Sequence, residues 1–394
     1  MVAADVLWQT ATVTKDVIDH AIRRFAAGDL DGASALLEPL AAADVDWRAA
    51  ANLGTIRKRQ ARSEEALALF RRAQALTAPN AYLLGAMGAE LVKLQRPEAA
   101  EPLLRQAIAL EPQQGRYRYE LALGQLLEGR LAEGFENYEH RPSRAESPCR
   151  GLAYPEWRGE RLQGRSILVW GEQGLGDEIQ FSRFLAPLRR MGARVTLAVA
   201  PNNVRLLGQL ADKVTGRSGN IEMEPHDYWV MLGSLPHRLG VTPEALSGAP
   251  YLAPAWRGGG GGGVGIVARG NPRHPNDLRR SIHDDSLQAA FPGALALEPA
   301  ADTAASLELV AGLDLLVTVD TSWAHMAGAC GAPCLVLLPA EGLDWRWMRG
   351  AARSPWYESI QLVRQTRPGD WASAIREAQR LAREHLTRRR GRGA

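Results

Sequence analysis

Two stretches of this 394-residue chain carry residues whose types and spacing could do chemistry. Asp177 closes a glycine-rich stretch, Gly171-Glu-Gln-Gly174-Leu-Gly176-Asp177, which follows the apolar run 166–170. A carboxylate at the mouth of a cleft can serve as general base for an attacking hydroxyl. Glu172 is the local rival, and the plainer reading of Asp177 is an acid in a first helical turn. Asp320-Thr321-Ser322 follows a second apolar run, 315–319, and opens a segment carrying His325, Ala324, Ala327 and Gly328. A helix start behind a strand presents free N–H groups and a positive dipole end, which suit a phosphate. The alternative is an ordinary N-cap in an α/β core.

A third polar cluster follows the run Val264-Gly-Ile-Val-Ala268: Arg269, Asn271, Arg273, Arg279, Arg280 and Ser281. Arginines at the carboxyl end of a buried strand suit phosphate or carboxylate recognition. Glu298, at the tip of the run 295–297, could accept from a ribose or a base edge. The glycine stretch has the spacing G-x-x-G-x-G, so it is neither the dinucleotide fingerprint nor a P-loop, and its glycines are expected to let a ligand approach the backbone.

These residues need a parallel sheet behind them. Runs at 166–170, 194–199, 264–268, 295–297, 315–319 and 334–338 alternate with helical segments, the pattern of strand–helix–strand units. A helix is expected from about Asp177 to Met191, and a last amphipathic helix after Gly369-Asp370. The glycines 258–263 mark a hinge or loop between two α/β halves. Trp345, Trp347, Trp356 and Trp371 read as packing residues, and Arg388, Arg389, Arg390 and Arg392 as a solvated tail.

The first third repeats with a period of 34, from Asn52-Leu53-Gly54 to Ala86-Met87-Gly88 to Glu120-Leu121-Ala122. The partners Ala66, Phe70 and Ala73 return as Ala100, Leu104 and Ala107, and Gly134 and Tyr138 continue the register. A slipped earlier copy holds Ala21, Ala33, Leu37 and Leu40. One copy cannot bury its apolar face alone, so copies must stack. This spacing resembles the tetratricopeptide repeat family, whose arrays commonly present a groove to a peptide or protein. The reading is repeats over 1–141, a linker at 142–163 pinned by Tyr154 and Trp157, a first α/β half at 164–257 and a second at 258–394.

Net charge is only +3, which gives no reason to expect nucleic acid. Cys149, Cys330 and Cys334 form no spaced metal-ligand set and read as small core residues. No run approaches a membrane span, and residues 1–20 lack a basic segment followed by an apolar core, so a cytoplasmic location is expected.

Gly174-x-Gly176-Asp177 and Asp320-Thr-x-x-x-His325 before a Gly-x-Pro strand resemble glycosyltransferase family 9, the heptosyltransferases. The strings from Trp170 to Phe181, Gly270 to Asp277, Ser354 to Tyr357 and Arg367 to Trp371 resemble a bacterial branch in which the repeats are fused to such a domain. The resemblance implies a GT-B fold of two Rossmann-like halves and an inverting transfer from a nucleotide sugar, with no metal or cofactor. The α/β part has no Asp-x-Asp motif, which agrees with that. By resemblance Asp177 matches the base, Asp320, Thr321 and Ser322 the donor-contacting turn, and His325 follows on its helix. The family's loop lysine is replaced by arginines here, so ADP-heptose is not implied. Some repeat-fused relatives resemble enzymes that modify flagellin from a CMP-nonulosonic acid, so the expected acceptor is a protein docked by the repeats. Two alternatives stay open: transfer to lipopolysaccharide or another glycan, and a non-catalytic adaptor with a nucleotide-binding remnant.

Overall fold

The computed structural model describes residues 2–218, 224–254, 262–298 and 302–391, with nothing said of side chains 2–13 or 390. Two compact units are present, Met1–Gly124 and Gln125–Ala394.

The first unit is an array of helix pairs. It runs α1 (Val2–Ala26), α2 (Leu30–Ala42), α3 (Trp47–Arg59), α4 (Ser63–Ala75), α5 (Ala81–Lys93), α6 (Pro97–Leu110) and most of α7 (Gly115–Leu127). Asp29, Asp46 and Asn80 begin α2, α3 and α5 by accepting a first-turn N–H on a side-chain oxygen. The period is visible as one contact made twice. A Cβ on Gly54 would lie 2.8 Å from the Phe70 ring, and one on Gly88 would lie 2.5 Å from Leu104 Cγ. The glycine is what lets a large residue of the second helix lie against the first. Ala66, Phe70, Ala73, Ala100, Leu104 and Ala107 are all buried.

The division between units falls inside α7, not at 141. Helix α8 (Leu131–Tyr138), the second helix of the last copy, packs within the second unit. The reason is aromatic: the Phe135 ring meets Trp345 at 5.7 Å and Trp356 at 6.4 Å, edge to face. The join then folds down in the short helix α9 (Pro142–Ala145). Trp157 is buried there and donates Nε1–H to the Glu160 carbonyl at 2.8 Å, so the segment is anchored as its aromatics suggest.

The rest of the second unit is built on two parallel sheets. The first holds β1 (Ser166–Trp170), β2 (Arg194–Val199), β3 (Lys213–Gly216) and β4 (Tyr228–Met231), in the order β3-β2-β1-β4. The second holds β5 (Val264–Val267), β6 (Leu295–Ala296), β7 (Leu315–Val319), β8 (Cys334–Leu338) and β9 (Ile360–Arg364), in the order β6-β5-β7-β8-β9. Helices α10 (Leu175–Ser182), α11 (Leu185–Arg190), α12 (Val204–Leu207) and α13 (Leu235–Arg238) accompany the first sheet. Helices α14 (Asp277–Arg280), α15 (Ser286–Ala290), α16 (Thr303–Ala311), α17 (Ser322–Cys330) and α18 (Trp371–Arg390) accompany the second. Each sheet reverses its strand order once, between β1 and β4 and between β5 and β7. Open α/β sheets bind ligands at the carboxyl ends of strands beside such a reversal. The loops after β1, β5 and β7 carry the candidate residues, and all three stand there.

Several expectations change. The helix from Asp177 to Met191 breaks between α10 and α11, because Pro187 cannot donate to the Arg183 carbonyl and its ring crowds it. Strand β6 is only a two-residue strand, and Pro299 and the glycines 258–261 lie outside the described residues. The C-terminal arginines up to 390 belong to helix α18, where Arg389 pairs with Asp314 at 2.9 Å, and Arg392 lies outside the described residues. The three cysteines are free, with Cys149 and Cys334 buried. Among the described residues no helix is long and apolar enough to cross a membrane.

Gly88→Val should destabilise the repeat unit by about 1–3 kcal/mol, since the new side chain has to displace Leu104. Urea denaturation followed by circular dichroism reads this, and an unchanged midpoint would remove the glycine–leucine contact from the account.

Candidate functional site

The site begins where the two sheets lend a helix to each other. Helix α10 rises from the loop after β1 and α17 from the loop after β7, and their first turns touch. A Cβ on Gly176 would lie 2.7 Å from His325 Cδ2 and 3.4 Å from Ser322 Cα. The glycine loop is therefore filled by the chain itself. A Cβ on Gly171 would meet Glu178 Oε1 at 2.5 Å and the Ala198 carbonyl at 2.8 Å, and one on Gly174 would meet Asp177 Oδ2 at 3.1 Å. In the direction a Cβ would take, Gly171 and Gly176 therefore face neighbouring protein groups. Gln173, between them, holds φ at +63°, a strained value for a side-chain-bearing residue, with its amide against the Tyr138 hydroxyl at 2.8 Å.

Asp177 sits on the first turn of α10 with its side chain 22% exposed. Its Oδ2 accepts the Gly174 N–H at 2.8 Å, and its Oδ1 accepts from the Arg346 guanidinium. Burial lifts its carboxyl above the ordinary value, opposed by Arg346 and the Gly174 N–H. Arg346 stands on the 3-10 turn Trp345–Trp347 that follows β8. Its Nε donates to Gln180 Oε1 at 2.5 Å, and its Nη1 donates to both Asp344 oxygens at 3.0 and 3.1 Å. Its plane lies 4.3 Å from the Trp345 ring centroid. Burial works to raise the Asp344 carboxyl, but the guanidinium overrides it and holds that group below its ordinary value.

On the other side, Thr321 is the N-cap of α17 and its side chain accepts no helix N–H, so the first turn keeps its donors free of a side-chain cap. The Thr321 hydroxyl lies 3.2 Å from that of Thr318 instead. Asp320 offers its backbone carbonyl to Arg280 Nη1 at 3.0 Å. Burial, with the Asp344 charge beside it, pushes the Asp320 carboxyl up to about 6, with Arg280 opposing. His325 is buried, its Nδ1 is 3.0 Å from the Tyr357 hydroxyl, and it stacks on Trp347 at 5.4 Å. Burial, helped by Arg346, drives the imidazole down to about 3, so it is neutral at neutral pH and supplies no cation.

The loop after β5 divides by role. Arg280 reaches the site. Ser281 is buried and braces the loop, accepting the Gly270 N–H at 2.9 Å and donating to Asp277 Oδ1 at 2.8 Å. The Asn271 side chain accepts the Arg273 N–H at 3.0 Å in a local turn, and both residues are exposed. Arg269 donates to the His283 carbonyl at 2.7 Å. Glu298 is exposed at the end of the short β6 stretch. His274 lies in the electrostatic surroundings of Asp344, Asp177 and Arg280, its imidazole lowered chiefly by burial. Glu172, the rival base, is 5% exposed and committed: it takes a two-pronged pair from Arg141, the Ser143 hydroxyl at 2.5 Å and the Gly233 N–H at 3.0 Å.

Asp344, Arg346 and Gln180 were missed by the sequence reading. The one signal was Asp-Trp-Arg-Trp just beyond β8, where the tryptophans drew the packing reading away from the arginine between them. Among the described residues no group of three or more His, Cys, Asp or Glu side chains could hold a metal ion.

No family model matches the chain. Among curated proteins it is similar to Protein FlbA of Caulobacter vibrioides (strain ATCC 19089 / CIP 103742 / CB 15), 24% identical over 308 residues. That likeness covers 62% of this chain and 51% of the relative, so the chain spans about half the length of the curated relative it matches. Solved structures similar to part of the chain include YrrB, a TPR protein with an unusual peptide-binding site, at 23% identity and a TM-score of 0.29 over 32% of this chain and 64% of that one. MamA from Desulfovibrio magneticus RS-1 matches at 21% identity and a TM-score of 0.30, over 32% of this chain and 72% of that one.

A carboxyl whose pKa is raised by folding destabilises the fold once ionised. That loss is complete above about pH 6 and absent below the ordinary carboxylate range. Relative to Asp320→Asn, the wild type should therefore gain stability as pH falls from about 7 to about 4. Paired thermal melts across that range read it, and parallel curves for the two proteins would contradict the burial of a charged Asp320.

Proposed function

We propose that the chain is a glycosyltransferase of GT-B architecture, moving a sugar from a nucleotide donor to a protein acceptor docked by the repeats. One observation carries this reading: the first turns of α10 and α17, each at a strand-order reversal of its own sheet, lie side by side, with a carboxylate on one and uncapped N–H groups on the other. The donor's phosphate would lie on the first turn of α17, with Arg280 and Arg346 nearby. The acceptor hydroxyl gives its proton to Asp177 as its oxygen bonds to the anomeric carbon. The bond from that carbon to the phosphate oxygen breaks on the opposite face, the electron pair leaves with the phosphate, and the configuration inverts. Neither Ser281 nor His325 takes a direct part, because both are buried and engaged by the protein.

The likeness to Protein FlbA covers 62% of the chain, more than the residues of the repeat unit, so it reaches into the α/β unit as well. A helical array fused to such a unit gives a reason for a protein acceptor. Flagellin and a CMP-nonulosonic acid are the acceptor and donor to try first.

With the full chain, that donor and flagellin, Asp177→Ala should lower transfer by about 100- to 10,000-fold while nucleotide binding survives. Mass spectrometry of the acceptor reads the transfer. Wild-type rates in the variant would take Asp177 out of the reaction.

A further inference from the structure

The Arg346 guanidinium holds three side chains at once. It is 6% exposed, and its nitrogens are spent on Gln180 and Asp177 of α10 and on Asp344 of its own turn. Asp344 also accepts the Arg346 backbone N–H at 2.9 Å, so the turn and its arginine are fixed by the same carboxylate. The consequence for Asp177 is direct: one oxygen caps α10, the other lies on a cation, and neither is free to take a proton. Yet the Arg346 charge also acts on Asp320 and His325, on either side of the first residues of α17, whose Ser322 packs on Gly176, the neighbour of Asp177. An anion bound on that turn would compete with Asp177 for the Nη2 donor.

Resting on the reading of the site as a nucleotide-sugar site, we infer that Arg346 is a positioning residue that switches between two anions. It holds Asp177 until a donor phosphate arrives, then turns to the phosphate and releases the carboxylate. Binding of the donor thereby prepares the base, and transfer follows the order donor first, acceptor second. The Nη2 that leaves Asp177 gives the phosphate a charge-assisted hydrogen bond, and the helix N–H groups hold the phosphate as well. Gln180 keeps Nε and Asp344 keeps Nη1 through the exchange.

The test is calorimetric binding of CMP, UDP, GDP and ADP, each alone, to the full chain and its variants. Asp177→Asn removes the competitor and keeps the cap of α10, so the nucleotide that binds the wild type should bind about three- to tenfold tighter. Asp344→Asn relieves the same guanidinium from its other side and should also tighten binding, which keeps the test alive if the first variant does not fold. Arg346→Gln should weaken binding, and adding Asp177→Asn in that background should change nothing further. A purely architectural pair would lower the melting temperature of Asp177→Asn and leave its affinity unchanged. Unchanged or weaker binding by both asparagine variants, with binding by the wild type, overturns the switch and leaves the proposed function standing. Absence of binding by the wild type to all four nucleotides overturns both.

Discussion

The guanidinium of Arg346 joins the two sheets of the α/β unit. It stands on the turn after β8 and reaches Asp177 and Gln180 on the helix that follows β1. A buried cation is tolerable only when its donors are matched, and breaking such a pair from one side costs about 3–5 kcal/mol. The surroundings are built to keep it matched. Trp345 lies against its face, and Phe135, Phe181 and Trp356 pack around Trp345. Arg141 with Glu172 repeats the device at the start of the unit, tying the end of the repeat-like segment to the loop after β1. The elements of the two sheets are thus held by charge where they meet and by aromatic packing behind.

This arrangement also explains which sequence signals were legible. The repeat period showed because it reflects one contact made again and again, a glycine or alanine under a large side chain, as at Gly54 with Phe70 and Gly88 with Leu104. The long central strands showed because both of their faces are apolar, as in β7 and β8. Strands β3 and β9 did not, since each lies at a sheet edge and carries polar residues such as Lys213, Gln361 and Arg364. The break after Ser182 was written in Pro187, which the expectation of one continuous helix passed over.

The site itself was legible only where a residue stands at a strand end. Asp177 and the turn at Asp320 each follow a central strand, and that much follows from pattern. The residues that decide their chemistry come from elsewhere. Arg346 lies almost 170 positions from Asp177 and belongs to a turn without periodicity. Nothing in the spacing distinguishes Arg280, which reaches the Asp320 carbonyl, from Arg269, which holds its own loop. Burial decides the rest: His325 and Ser281, plausible ligands by type, are consumed by Tyr357 and Asp277.

The most direct test of the whole reading is a crystal structure of the full chain with bound CMP or UDP. The phosphate should lie on the first turn of α17, within hydrogen-bond distance of its N–H groups and of Arg346. A nucleotide bound away from α17, with the phosphate remote from both Arg346 and Arg280, would contradict it.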